Sequence, residues 1–169
     1  GGTWSGIEPM MPRDVPARLG EGGYGHVADM PFDDATIDLV TGIQTLEHLD
    51  DPLPDTELED GYEKSLAEIH RVLKPGGRVY FDAPVHLHGH EMFICGDVAR
   101  IRALFETTMW RDVIFEKWRE DYAPLDRYPT PPGDRKIWQT AVSSYPKSML
   151  DKIRDEASVW LITVKAIKA

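Results

Sequence analysis

Three histidines in five residues, His86, His88 and His90, followed directly by Glu91, form the densest patch of reactive side chains in the chain. In an extended segment alternate residues share a face, so the three imidazoles would stand together, able to relay a proton near neutral pH or to share a metal ion. The pattern departs from the His-x-His-x-Asp-His string of dinuclear hydrolases, because its last two positions, His90 and Glu91, are of the wrong type and order. No metal is therefore assigned. Proton transfer or substrate contact, metal binding and a histidine-rich loop without chemistry stay open as readings. Glu47-His48 is a second pair suited to acid-base work, although a loop-capping pair or a buried structural histidine would look the same.

These groups need elements to position them, and the composition bounds what those can be. A chain of 169 residues is long enough for one domain with a sizeable core. Acidic residues outnumber basic ones, 29 to 19, and the formal charge of -10 repels phosphate backbones and anionic membrane surfaces. Nucleic acid and membranes are thus poor partners. Cys95 stands alone, which excludes an intramolecular disulfide and fits a reducing, cytoplasmic setting. No apolar run approaches the roughly 20 residues that span a bilayer.

Elements of two periodicities alternate along the chain, which predicts an α/β fold. Short strands are expected near residues 3–7 and 25–28, and residues 36–43, rich in β-branched and apolar side chains, read as a buried, central parallel strand. Tyr62, Leu66, Ile69 and Leu73 recur at helical spacing, and Lys74-Pro75-Gly76-Gly77 ends that helix and reverses the chain, without the spacing of a phosphate loop. Residues 78–84 form the next buried strand. Asp97 is a good N-cap for a helix with Val98, Ile101, Leu104 and Phe105 inward, and the last two strands are expected near residues 112–118 and 158–168. The proline-rich stretch within residues 120–135 suits a lid or surface loop.

From residue 28 to residue 84 the parts come in a specific order: Met30-Pro31-Phe32-Asp33-Asp34, Ile37-Asp38-Leu39-Val40, Leu46-Glu47-His48-Leu49, and Ile69-His70-Arg71-Val72-Leu73-Lys74-Pro75-Gly76-Gly77-Arg78. This order and spacing resembles the class I, Rossmann-like S-adenosylmethionine-dependent methyltransferases of small molecules, with their "LPF", "FDLV", "LEHL" and "RVLKPGG" motifs. The resemblance implies a three-layer sheet, mostly parallel with an antiparallel last strand, as a single domain over residues 1–169. It also implies S-adenosylmethionine as cofactor and methyl transfer to a small-molecule or sugar acceptor, most often at oxygen. In an open parallel sheet ligands bind outside the carboxyl ends of the strands. An acid at the end of the second family strand can accept both hydroxyls of a ribose, which makes Glu8 the expected ribose ligand. The position where the family carries an acid for the adenine amino group holds His26, so Asp29 is the expected acceptor with the Met30 backbone beside it. Ile43, Gln44 and His48 should border the methionine end. His48, His86, His88 and His90 are the candidates for catalysis.

One departure is large. The family's glycine-rich loop, with its strand and helix, should precede Glu8, and only residues 1–7 stand there. The first strand and helix are therefore expected to be lacking here, whether because this chain omits part of the natural protein, because a partner chain or second copy supplies the strand, or because the protein no longer catalyses. A non-catalytic, partner-dependent protein is therefore the alternative function. A nicotinamide-dependent reductase would share the architecture, but no Tyr-x-x-x-Lys pair supports it.

Overall fold

The computed structural model describes residues 2–49, 61–84, 86–87, 90–91, 98–122, 137–141 and 161–169. Two short strands, β1 (Ile7–Glu8) and β2 (Gly23–Tyr24), pair in parallel as a small sheet of their own. β3 (Ile37–Gly42) leads through a single 3-10 turn at Leu46–His48 to helix α1 (Tyr62–Val72) and then to β4 (Leu73–Pro84). Two short strands that pair antiparallel follow, β5 (His86–Leu87) and β6 (His90–Glu91), then helix α2 (Val98–Phe105) and the strands β7 (Trp110–Tyr122), β8 (Ile137–Ala141) and β9 (Leu161–Lys168).

The main sheet has the order β3-β4-β9-β7-β8. β3 and β4 are parallel, and β9, the last strand in sequence, runs against both β4 and β7 as expected. β3, β4 and β7 consequently point the same way. Strand β8, which pairs antiparallel with β7, was not expected from the sequence. The second short strand lies just ahead of its expected place at residues 25–28, which instead begin a tight turn.

Alternation along the inner strands separates two faces. Val79, Phe81 and Ala83 of β4 and Ile162, Val164 and Ala166 of β9 join Leu66, Ile69 and Val72 of α1 and Ile101 and Phe105 of α2 in one buried cluster. Burying a side chain of this size contributes about 1.5 to 3 kcal/mol. The opposite face is polar: Lys165 Nζ bonds Glu116 Oε2 at 2.8 Å and stands 5.8 Å from the centre of the Tyr80 ring. Both described helices thus cover the apolar face.

The helical spacing that begins at Tyr62 buries Tyr62, Leu66, Ile69 and Val72, and Leu73 is buried just beyond the helix. The expected reversal falls inside β4, where Gly76 takes φ 76° and the pairing to β3 jumps from Leu73 to Arg78. Lys168 of β9 donates to the carbonyls of His70 and Leu73, satisfying the end of α1 from the far end of the chain.

One expectation is corrected. β3 is a parallel strand but an edge strand: its only partner among the described residues is β4, and Leu39 is 54% exposed. An apolar, β-branched run marks a strand able to be buried, but with a neighbour on one side only its outer backbone edge stays unpaired. His88, Cys95, Asp97 and residues 123–135 of the expected lid lie outside the described residues.

Candidate functional site

The best-defined strand end belongs to β3. A Cβ on Gly42 would lie 2.6 Å from the Phe81 ring, so the absence of a side chain is what lets the end of β3 close onto β4. Two residues later the chain turns out of the sheet with Gln44 at φ 49°. The Gln44 N–H donates to Asp82 Oδ1 at 2.6 Å, and Ile43 is left 63% exposed at the strand end. Leu46 and Leu49 then anchor the 3-10 turn in the core. The Tyr62 hydroxyl donates to the Glu47 carbonyl, and the Ser65 hydroxyl to the Leu49 carbonyl. Glu47 is buried, with Oε1 3.9 Å from Nε2 of His48, whose side chain is 52% exposed. Burial as a structural histidine is thereby excluded for His48.

The expected acids lie outside the main sheet. Glu8 closes β1, is exposed, and accepts the Met10 N–H through Oε1 at 2.9 Å. A carboxylate has about four acceptor sites, so this bond leaves capacity for hydroxyl groups. Asp29 is exposed at the end of a tight turn in which its N–H reaches the His26 carbonyl at 3.0 Å. His26 is buried and accepts the Ala28 N–H through Nδ1 at 3.1 Å, so the imidazole in the family's acid position builds the turn.

Both backbone groups of the buried Met30 are engaged by α1. Its N–H donates to Glu68 Oε1 at 2.8 Å, and its carbonyl accepts from Arg71 Nη2 at 3.2 Å. Arg71 also reaches the Phe32 carbonyl, both oxygens of Glu68, and Asp34. The hydrogen bonds to Glu68 and then Asp34 push the Arg71 guanidinium further toward the charged form. Arg71 in turn holds the Glu68 carboxyl below its ordinary range, against the opposing effect of burial, with the Met30 N–H adding to the lowering. A Met30 contact to a ligand's adenine would have to compete with Glu68 for the N–H. Sequence reasoning passed over Glu68, Arg71 and Asp82 as positioning groups; the first two carried a signal as an acid and base at i and i+3 on the polar side of α1.

The histidine-rich segment is not one extended run. The backbone pairs His86 with Glu91 and Leu87 with His90, so His86 and His90 take register positions on opposite faces of a hairpin. Among the described residues no group of three histidine, cysteine, aspartate or glutamate side chains is placed to hold a metal ion. No described helix is long and apolar enough to cross a membrane. None of the described candidate residues lines the cleft between α1 and α2, which is bordered by Tyr62, Leu66, Leu104 and Met109.

Residues 20–81 match the family described as "Methyltransferase domain". No curated protein matches the chain. Among solved structures, it is similar to an S-adenosylmethionine-dependent methyltransferase of Thermotoga maritima, named as a possible histamine N-methyltransferase, at 13% identity and a TM-score of 0.53. That likeness covers 98% of this chain and 72% of the other. Phosphoethanolamine N-methyltransferase 2 of Haemonchus contortus, solved with S-adenosyl-L-methionine, aligns at 15% identity and TM-score 0.52 over 88% of this chain and 37% of its own. A methyltransferase of Archaeoglobus fulgidus aligns at 13% and 0.50, over 88% and 67%. At these identities the likeness is one of fold, and it is to the class I, Rossmann-like methyltransferases.

Proposed function

We propose, from the premise that this chain carries the methyltransferase fold and a methyltransferase-domain segment, that it binds S-adenosylmethionine and transfers a methyl group to a small-molecule or sugar acceptor, at oxygen. The observation that carries the reading is the match over residues 20–81, the segment that contains Asp29, Met30, Ile43, Gln44 and His48.

The residues present fit such a cofactor. Glu8 offers an exposed carboxylate at a strand end for the two ribose hydroxyls, Asp29 an exposed acceptor for the adenine amino group, and Ile43 an exposed apolar surface beside the Gln44 turn. When bound, the cofactor supplies an electrophilic methyl group on a positively charged sulfonium. A chain of net charge -10 favours that cation and disfavours phosphorylated acceptors. His48, half exposed beside the end of β3, would take the proton of an acceptor hydroxyl as its oxygen gains the methyl carbon; His86, His88 and His90 are the other candidates for that role or for holding the acceptor. Holding the two reactants in line supplies much of the rate. A cytoplasmic setting rests on the lone Cys95.

Calorimetric titration with S-adenosylhomocysteine tests the reading. Micromolar binding is expected, weakened roughly 5- to 150-fold by Glu8→Ala, since two hydrogen bonds of roughly 0.5 to 1.5 kcal/mol each are lost. NADH and Zn²⁺ should give no heat. Binding of NADH without S-adenosylhomocysteine would overturn the proposal, and an unchanged Glu8→Ala affinity would remove Glu8 from the site. A second reading is favoured by the outer edge of β3, which presents backbone groups and the exposed Leu39. A second copy or a partner chain pairing there would complete the sheet, and binding would then appear only in the assembly.

A further inference from the structure

We infer that Asp82 is a positioning residue for the cofactor loop: its buried carboxylate holds the Gln44 backbone in the left-handed turn that ends β3. The inference rests on the proposed cofactor site and names a residue that neither the sequence motifs nor the fold assigns to it.

A residue with a side chain seldom adopts φ near +50°, and where it does the surroundings must over-determine it. Three described residues other than glycine do so: Ala35, Gln44 and Asp112. The Ala35 N–H ends on the carbonyl of Arg71, an ordinary backbone closure. Gln44 is different, because its N–H ends on a side-chain carboxylate 38 positions along the chain, at 2.6 Å. That length is typical of a bond strengthened by charge.

Asp82 occupies a costly place for such a group. It is 7% exposed, in β4 between Phe81 and Ala83, and opposite Thr163 of β9. A carboxylate removed from water there stabilises the sheet less than an apolar side chain would, unless its bonds are made. Its bond to the Gln44 N–H goes out of the sheet to the loop. The loop is pinned on either side as well, by the close fit of Gly42 against Phe81 and by the buried Leu46, so the Asp82 bond fixes the middle of a short span whose ends are already placed. The outcome is a strand end at which Ile43 and Gln44 are exposed. If the loop leaves this conformation, apparent ligand affinity falls by the fraction of time it is away.

The test uses the full chain with Asp82→Asn and Asp82→Ala, following two readouts: S-adenosylhomocysteine affinity by calorimetry, and solvent exchange of the assigned Gln44 amide by NMR. Asp82→Ala should weaken binding about tenfold and speed Gln44 exchange by a similar factor, as loss of one charge-assisted bond implies. Asp82→Asn keeps the shape and an acceptor oxygen, and should recover part of both; it also carries the test if the alanine variant does not fold. A lower melting temperature with unchanged affinity would make Asp82 merely structural and overturn the inference. Unchanged Gln44 exchange in both variants would overturn it as well. If the unaltered chain binds no S-adenosylhomocysteine while the Gln44 amide still responds to Asp82→Ala, the cofactor reading fails, and with it the role of Asp82 in cofactor binding, leaving only the hold on the loop.

Discussion

The segments at residues 29–32 and 43–49 lie before and after β3 in the chain, yet they are secured by opposite means. The first is tied to α1 by a partly exposed cluster in which Arg71 bonds two carbonyls, Glu68 and Asp34, and Glu68 takes the Met30 N–H. The second is held by the buried Asp82 and by Leu46 and Leu49 in the core. A clamp of several partly solvated charges tolerates the loss of any one acceptor but answers to pH and salt. A buried single contact does not share its load.

Removing the centre of the clamp should have the largest effect. Arg71→Ala leaves the Glu68 carboxylate and two carbonyls without their donor, and about 2 to 3 kcal/mol of stability should be lost in urea unfolding, with Arg71→Lys recovering less than half because it cannot fork between the acceptors. An Arg71→Ala variant of unchanged stability would show that packing alone positions residues 29–32.

The pH response should be intermediate. Because Glu68 is held below its ordinary carboxyl range chiefly by the hydrogen bond from Arg71, its ionised form favours the folded state. That contribution is fully present above the unfolded value of about 4.3 and is lost as pH falls through the lower folded value. Glu68→Gln should therefore flatten the acid limb of stability below about pH 4.3 and leave the neutral region parallel to the parent chain. Identical acid limbs would assign the loss to other carboxylates.

The smallest effect is expected from Lys74→Ala. Its ion pair with Asp38, at 2.8 Å, is largely exposed on both sides and should be worth at most about 0.5 kcal/mol by double-mutant cycle, vanishing at high salt. A larger coupling would mean that the turn into β4 depends on it.

Much of the fold was legible because it depends on local pattern. The spacing of Tyr62, Leu66 and Ile69 specifies one face of α1, and the antiparallel last strand and the reversal at Gly76 followed from motif order and turn chemistry. The residues of the candidate site were named from the resemblance of the motif order to the methyltransferase family. β3 was misplaced as a central strand because an apolar run reports what a strand can bury and not how many neighbours it has. The shared face read for an extended histidine segment does not hold for His86 and His90, because β5 pairs antiparallel with β6 and puts their register positions on opposite faces.

Left to itself, the sequence determined the class of the fold, the amphipathic helix and most of the main-sheet strands, which are properties of near neighbours and their periodicity, while the candidate cofactor residues came from the motif resemblance. Only the tertiary structure decided that Glu68 and Arg71 clamp Met30, that Lys168 closes α1, and that Asp82 reaches Gln44. These contacts join groups 38 to 98 positions apart. No local pattern encodes such distances, because they arise when the strands pair and the helix settles on the sheet.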